Sequence, residues 1–143
     1  MAKVPAANKT RKPSQVKTGL RVFGSKPFMR FARKFGVSDQ DLRDAAQREP
    51  DADLGGGVFK FRLAREGEGT SGGARSIVAM NKGKRIVMMF GFEKKNLSNI
   101  DAKELKGFKK LAKIFLERSE IEMDSLVSSG ELTEIEAPPI KGS

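Results

Sequence analysis

The chain has 143 residues, a formal net charge of +10, and no cysteine, histidine, tyrosine or tryptophan. The length suits one domain with a core of its own. The missing cysteines exclude disulfides and thiolate catalysis; the missing histidines remove the commonest metal ligand and the commonest general acid or base, so no metal or other cofactor is expected.

No apolar run approaches the roughly 18 residues of a membrane span. "MAKVPAANKTRKPSQVKTG" lacks the apolar core of a signal peptide, so a cytoplasmic protein without a membrane partner is expected. A pI near 10 favours an anionic partner, with nucleic acid the first candidate. The charge is unevenly spread. Residues 1 to 38 hold ten Lys and Arg and no acid, whereas residues 117 to 143 hold seven acidic side chains against Arg118 and Lys141.

In chain order, residues 1–19 lack periodicity and read as a basic, flexible arm. "LRVF" (20–23) suits a short strand. Pro27 fits a first helical turn, and Phe28, Phe31, Ala32 and Phe35 fall on one helix face that Gly36 ends. Ser38 with Asp41 makes a capping box for a second helix, closed by Pro50. After the glycines at 55–57, "VFKFRLA" alternates Phe59, Phe61 and Leu63 with Lys60 and Arg62. "EGEGTSGG" reads as a glycine-rich loop before "ARSIVAM", and "NKGK" as a turn before the doubly apolar "RIVMMFGF". Asp101 and Glu104 cap a helix with an apolar stripe of Leu105, Phe108, Ala112 and Phe115, and lysines 103, 106, 110 and 113 opposite. The remainder reads as a short helix and an extended piece before a Pro-rich end. The expected architecture is an α+β domain: a small antiparallel sheet, an N-terminal strand plus a three-strand meander. Two N-terminal helices and a C-terminal helix pack on one side of it. The domain should span 20–118, with 119–143 an acidic extension.

Two basic groups stand out. Lys60 and Arg62 share a strand face, Arg65 ends that strand, and Arg75 opens the next, so a hairpin would let Arg75 reach the Lys60/Arg62 face. Lys94, Lys95 and Asn96 follow the central strand, where side chains are well placed to line a site. Either group suits a solvated sheet face or a phosphate-binding surface, and glycines between them allow close backbone approach. The glycine loop lacks the spacing and lysine of a P-loop. The phenylalanines read as core first, Phe90 and Phe92 included, with a base-stacking role for one of these two as the alternative.

"DLGGGVFKFRLAREGEGTSGGARSIVAM" and "FGFEKKNLSNIDAKELKGFKKLAK" resemble the RelE/ParE superfamily of bacterial type II toxins, most closely its HigB-like branch. The resemblance spans about residues 20–118. It implies a metal-independent endoribonuclease that cuts mRNA, usually on the ribosome, and is silenced by a cognate antitoxin, often of helix-turn-helix type. Carried over by position, the catalytic cations fall on Lys60, Arg62, Arg75 and Lys94, with Arg65, Gly72, Gly73, Lys95 and Asn96 as RNA contacts. Cation crowding would lower the pKa of Lys60 and free it to act as a base. The family's tyrosine near the last helix falls on Ile100 or nowhere. The alternatives are a ParE-like inhibitor of DNA gyrase and a non-catalytic nucleic-acid-binding module.

Overall fold

A computed structural model describes residues 19–65, 67–94 and 100–136. Strand β1 (Arg21–Ser25) runs directly into helix α1 (Lys26–Lys34), followed by α2 (Asp39–Ala46). Then come β2 (Ala52–Gly55), β3 (Val58–Arg65), β4 (Gly69–Asn81) and β5 (Arg85–Glu93). Helices α3 (Ala102–Glu117) and α4 (Glu120–Ser128) and strand β6 (Leu132–Glu134) complete the described residues.

The local signals act as their chemistry dictates. Ser25 caps α1 by accepting from the Phe28 N–H at 3.2 Å, with Pro27 in the first turn. Ser38 with Asp41, and Asp101 with Glu104, form reciprocal capping boxes at α2 and α3. Ser119 with Glu122 does the same for α4.

The six strands are ordered β2-β3-β4-β5-β1-β6. All neighbours are antiparallel except β1 and β5, which are parallel. The meander of β3, β4 and β5 is present as expected. The N-terminal strand is internal to the sheet, held between β5 and β6. Strand β2 escaped the sequence reading because four residues ending in glycine carry too little alternation to see. Its hairpin to β3 turns through Gly55, Gly56 and Gly57, all at positive φ, and the Lys109 and Leu116 side chains pack directly over them.

Helices cover both faces of the sheet, not one. Phe28, Leu42, Phe61, Leu63, Val78 and Met88 form a core under α1 and α2. Phe23, Val58, Ile77, Val87, Ala112 and Met123 form a second core under α3 and α4. The reason lies in β4 and β5, whose alternate side chains are apolar on both sides and so must be buried on both. Burial of rings such as Phe23 and Phe61 stabilises each layer by about 1.5–3 kcal/mol per side chain.

The fold also continues past residue 118. Strand β6 pairs with β1, and Ile135 is buried in the α1/α2 core. The acidic segment therefore belongs to the domain as far as Ile135 at least. Its acids are used internally: Arg21, 4% exposed, is bonded by Glu134, Asp124 and Glu120 at 2.6–2.9 Å. Arg85 reaches Glu120 at 2.8 Å and the carbonyls of Phe115 and Arg118. Burial alone would lower the Arg21 pKa, but the bonds to Glu134, Asp124 and Glu120 outweigh it and raise it.

Candidate functional site

Strand parity sorts the basic residues by face. Phe61 and Leu63 point to the α1/α2 side, so Lys60 and Arg62 point to the α3/α4 side with Val58. Arg62 is paired in register with Arg75, and Lys60 with Ile77. On the far side of β4, Arg75 is paired with Phe92. Arg62, Arg75 and Phe92 thus form one row across three strands, with Lys60, Ile77 and Phe90 in the next. The expected convergence of Arg75 on the Lys60/Arg62 face is present.

The glycine-rich stretch differs from expectation. It is not a loop: Gly67 and Glu68 form a turn, and β4 already begins at Gly69. Arg75 therefore sits inside β4 instead of opening a strand. Register passes from Leu63 with Ala74 to Arg65 with Gly69, so the extra residues bulge from β4. Gly69 and Gly73, at φ +60° and +90°, supply the backbone that such a bulge needs.

Arg65 is absorbed by this bulge. It points to the opposite face, donates to the Gly72 carbonyl at 3.2 Å and lies 3.5 Å from Glu93. Its guanidinium also covers the Phe35 ring at 5.3 Å. A side chain at Gly72 would collide with Arg65 and Glu68. Arg65 and Gly72 thus hold the hairpin tip together, away from the Arg62/Arg75 row. Gly73 lies beside Lys94, which is exposed at the end of β5. Lys95 and Asn96 lie outside the described residues.

An acid that sequence reasoning missed sits in the row. Asp51 accepts from the Arg62 backbone N–H at 2.6 Å and from its Nε at 2.8 Å. Arg48 donates to the Arg62 carbonyl at 2.7 Å, tying α2's exit to the same point. Nothing in the run "REPDAD" marks Asp51 as a partner of a residue eleven positions on; only the β2–β3 pairing brings it there. Burial would raise the Asp51 pKa, but the bonds and charge of Arg62 outweigh this and hold it below its ordinary value. Arg75 donates to the Ala74 carbonyl at 3.1 Å. Burial, then the neighbouring Arg62 charge, lowers its pKa, with Asp51 offsetting part of the effect. It stays charged at any physiological pH, since a guanidinium does not deprotonate there.

Phe90 and Phe92 were read as core, yet Phe90 is 38% exposed. Its ring contacts Phe92 at 6.2 Å and Phe108 of α3 at 5.7 Å. Ile100, where the resemblance places an aromatic, packs against the α3-side core. Lysines 103, 106, 110 and 113 are solvent-exposed, as their helical spacing requires.

These features define a class first: a small basic α+β protein with an open row of cations beside a helix, suited to an anionic ligand. The comparison with known families is specific. The family model described as RelE toxin of RelE / RelB toxin-antitoxin system matches residues 20–135. The chain belongs to the RelE toxin family, whose members are the toxins of toxin–antitoxin systems, generally endoribonucleases, and pair with an antitoxin. No curated protein matches the chain. Among the described residues no helix is long and apolar enough to cross a membrane.

Proposed function

We propose that this chain is a cytoplasmic HigB-like toxin that cleaves mRNA on the ribosome, without metal, through the face bearing Lys60, Arg62, Arg75 and Lys94. The observation that carries the reading is the direct pairing of Arg75 with Arg62, two guanidiniums on an accessible sheet face, of which Arg62 is bonded to Asp51.

In this mechanism Arg75 grips a phosphate bidentately and Arg62, steadied by Asp51, neutralises the charge that grows on its oxygens. Lys60 takes the proton from the RNA 2′-hydroxyl. The 2′-oxygen forms a bond to phosphorus, and the bond from phosphorus to the 5′-oxygen breaks. Lys94 gives its proton to that leaving oxygen, so the products are a 2′,3′-cyclic phosphate and a 5′-hydroxyl. The antitoxin, of helix-turn-helix type, silences the protein.

Mapping RNA 5′ ends across the transcriptome shortly after induction tests the reading. New in-frame cuts that vanish with Arg75→Ala are expected. Growth arrest with mRNA intact would point to gyrase instead, and salt-sensitive RNA binding with no cut ends would leave a non-catalytic binder.

A further inference from the structure

Alternation along β5 does not by itself bring Phe90 to the site. Val87 lies on the α3/α4 face and Met88 on the other, so strict period-two alternation puts Met89 with Val87 and Phe90 with Met88. The register with β4 shifts within this stretch: Val78 pairs with Met88, but the next residue of β4, Ile77, pairs with Phe90. Met89 is the extra residue of a β-bulge, and the bulge turns Phe90 and Phe92 onto the face that carries Arg75. Two contacts hold this arrangement. The Ser25 hydroxyl donates to the Met89 carbonyl at 2.9 Å, and Gly91, on the other face, leaves the space that the Phe31 ring fills.

The bulge thereby spends an irregularity to leave a large ring partly in solvent. Burial is the usual fate of phenylalanine, and a regular strand would have placed this ring under α1. Here it lies nearly parallel to Phe92, at 24° between planes, one strand and two residues from Arg75. A phosphate held by Arg75 has its own nucleoside within reach of that ring.

We infer that Phe90 is the stacking platform for an RNA base, placed by the Met89 bulge so that one nucleotide bridges the Arg62/Arg75 pair and the ring. The inference rests on the phosphate-binding reading above and adds a positioning residue to it. Phe92 and Phe108 support the ring from behind; Arg75 fixes the phosphate; the base closes over the exposed face of Phe90. Stacking of this kind accepts every base, because every base has a π-face. Codon preference would then come from elsewhere.

The test is single-turnover cleavage of an mRNA programmed on purified ribosomes, using the full-length chain. Phe90→Leu keeps an apolar side chain against Phe92 and Phe108 but removes the ring; Phe90→Trp keeps a ring. Loss of one stacked base should slow cleavage at subsaturating protein by about 5- to 150-fold in Phe90→Leu, with Phe90→Trp near wild type. An abasic residue at the stacked position of the mRNA should slow the wild type to the level of Phe90→Leu and leave that variant little changed. Wild-type rates in Phe90→Leu, or losses from Leu and the abasic residue that simply multiply, would overturn the inference and leave the ring to packing or to protein docking. Full cleavage by Arg75→Ala overturns the phosphate reading as well, so the two failures are told apart.

Discussion

At one end of β5, Arg21 and Arg85 stand side by side on the α3/α4 face and meet Glu120, Asp124 and Glu134. At the other end, Arg62 and Arg75 stand side by side on the same face, and Asp51 binds Arg62. The residue type, the sheet face and the cross-strand pairing are alike. What differs is the balance of charge: three carboxylates answer two guanidiniums at the first end, and at the second one carboxylate binds Arg62. The first pair is buried and ion-paired, so its charge is consumed by the fold, although the Arg85 Nε has no hydrogen-bond partner among the described residues. The second keeps a surplus in a place that water and a ligand can reach. A count of arginines would not separate them; the acids around them do.

The sharpest way to break this comparison is to remove one arginine from each end. Arg75→Ala should lower RNA cleavage by about 100-fold or more, the usual effect of deleting a group that stabilises developing charge. Its melting temperature should stay close to wild type, since little of the fold depends on that side chain. Arg21→Ala should do the reverse. Removing the cation from a buried network leaves carboxylates uncompensated and should cost about 3–5 kcal/mol in a denaturant titration. Cleavage per folded molecule should survive. An active, folded Arg75→Ala together with a stable Arg21→Ala would sink the contrast entirely.

Acid should find the first end too. Burial would raise the Glu120 pKa, but the bonds from Arg85 and Arg21 outweigh it and hold the pKa below its ordinary 4.5. A depressed carboxylate pKa contributes stability above the unfolded value and loses it as pH falls through the folded one. The melting temperature should therefore drop below about pH 4.5, and Glu120→Gln should be less sensitive over that range. An identical pH profile in the variant would remove Glu120 from the explanation.

Asp51→Asn sharpens the second end by a smaller amount. Freed from its carboxylate, Arg62 can contact one more phosphate. Binding to single-stranded RNA should tighten a few-fold at low salt, with the log–log salt slope steeper by about 0.7. An unchanged slope would mean that Asp51 holds no phosphate contact back from Arg62. Gly72→Ala should have the least effect on the site: a Cβ there collides with the Glu68 Cβ and the Arg65 stem, so the hairpin tip must shift, at about 1–3 kcal/mol in a denaturant titration.

Much of the fold was legible because its signals are local. The caps at Ser38 and Asp101, the Phe28-to-Phe35 spacing and the β3 alternation all act within a few residues. The cationic face was legible for the same reason, since Lys60 and Arg62 share parity and a hairpin must bring Arg75 opposite. What escaped depends on distant pairing. Asp51 joins Arg62 through the β2–β3 hairpin, and the acids of α4 and β6 belong to an arginine 99 to 113 positions earlier. The Met89 bulge was invisible because a run apolar on both faces offers no alternation whose interruption could be seen. Arg65 looked like its neighbours Lys60 and Arg62, but its odd number turns it to the other face, where Gly72 and Glu93 hold it.

The Arg21 network also has a consequence for synthesis. A ribosome delivers β1, with its guanidinium, 99 to 113 positions before Glu120, Asp124 and Glu134. Until those acids emerge, β1 lacks its β6 neighbour and its arginine cannot be buried without partners. The chain should therefore remain protease-sensitive until Glu134 has emerged, and become compact after that. Nascent chains arrested after residue 118 should be digested readily, and protease resistance at that length would contradict this order.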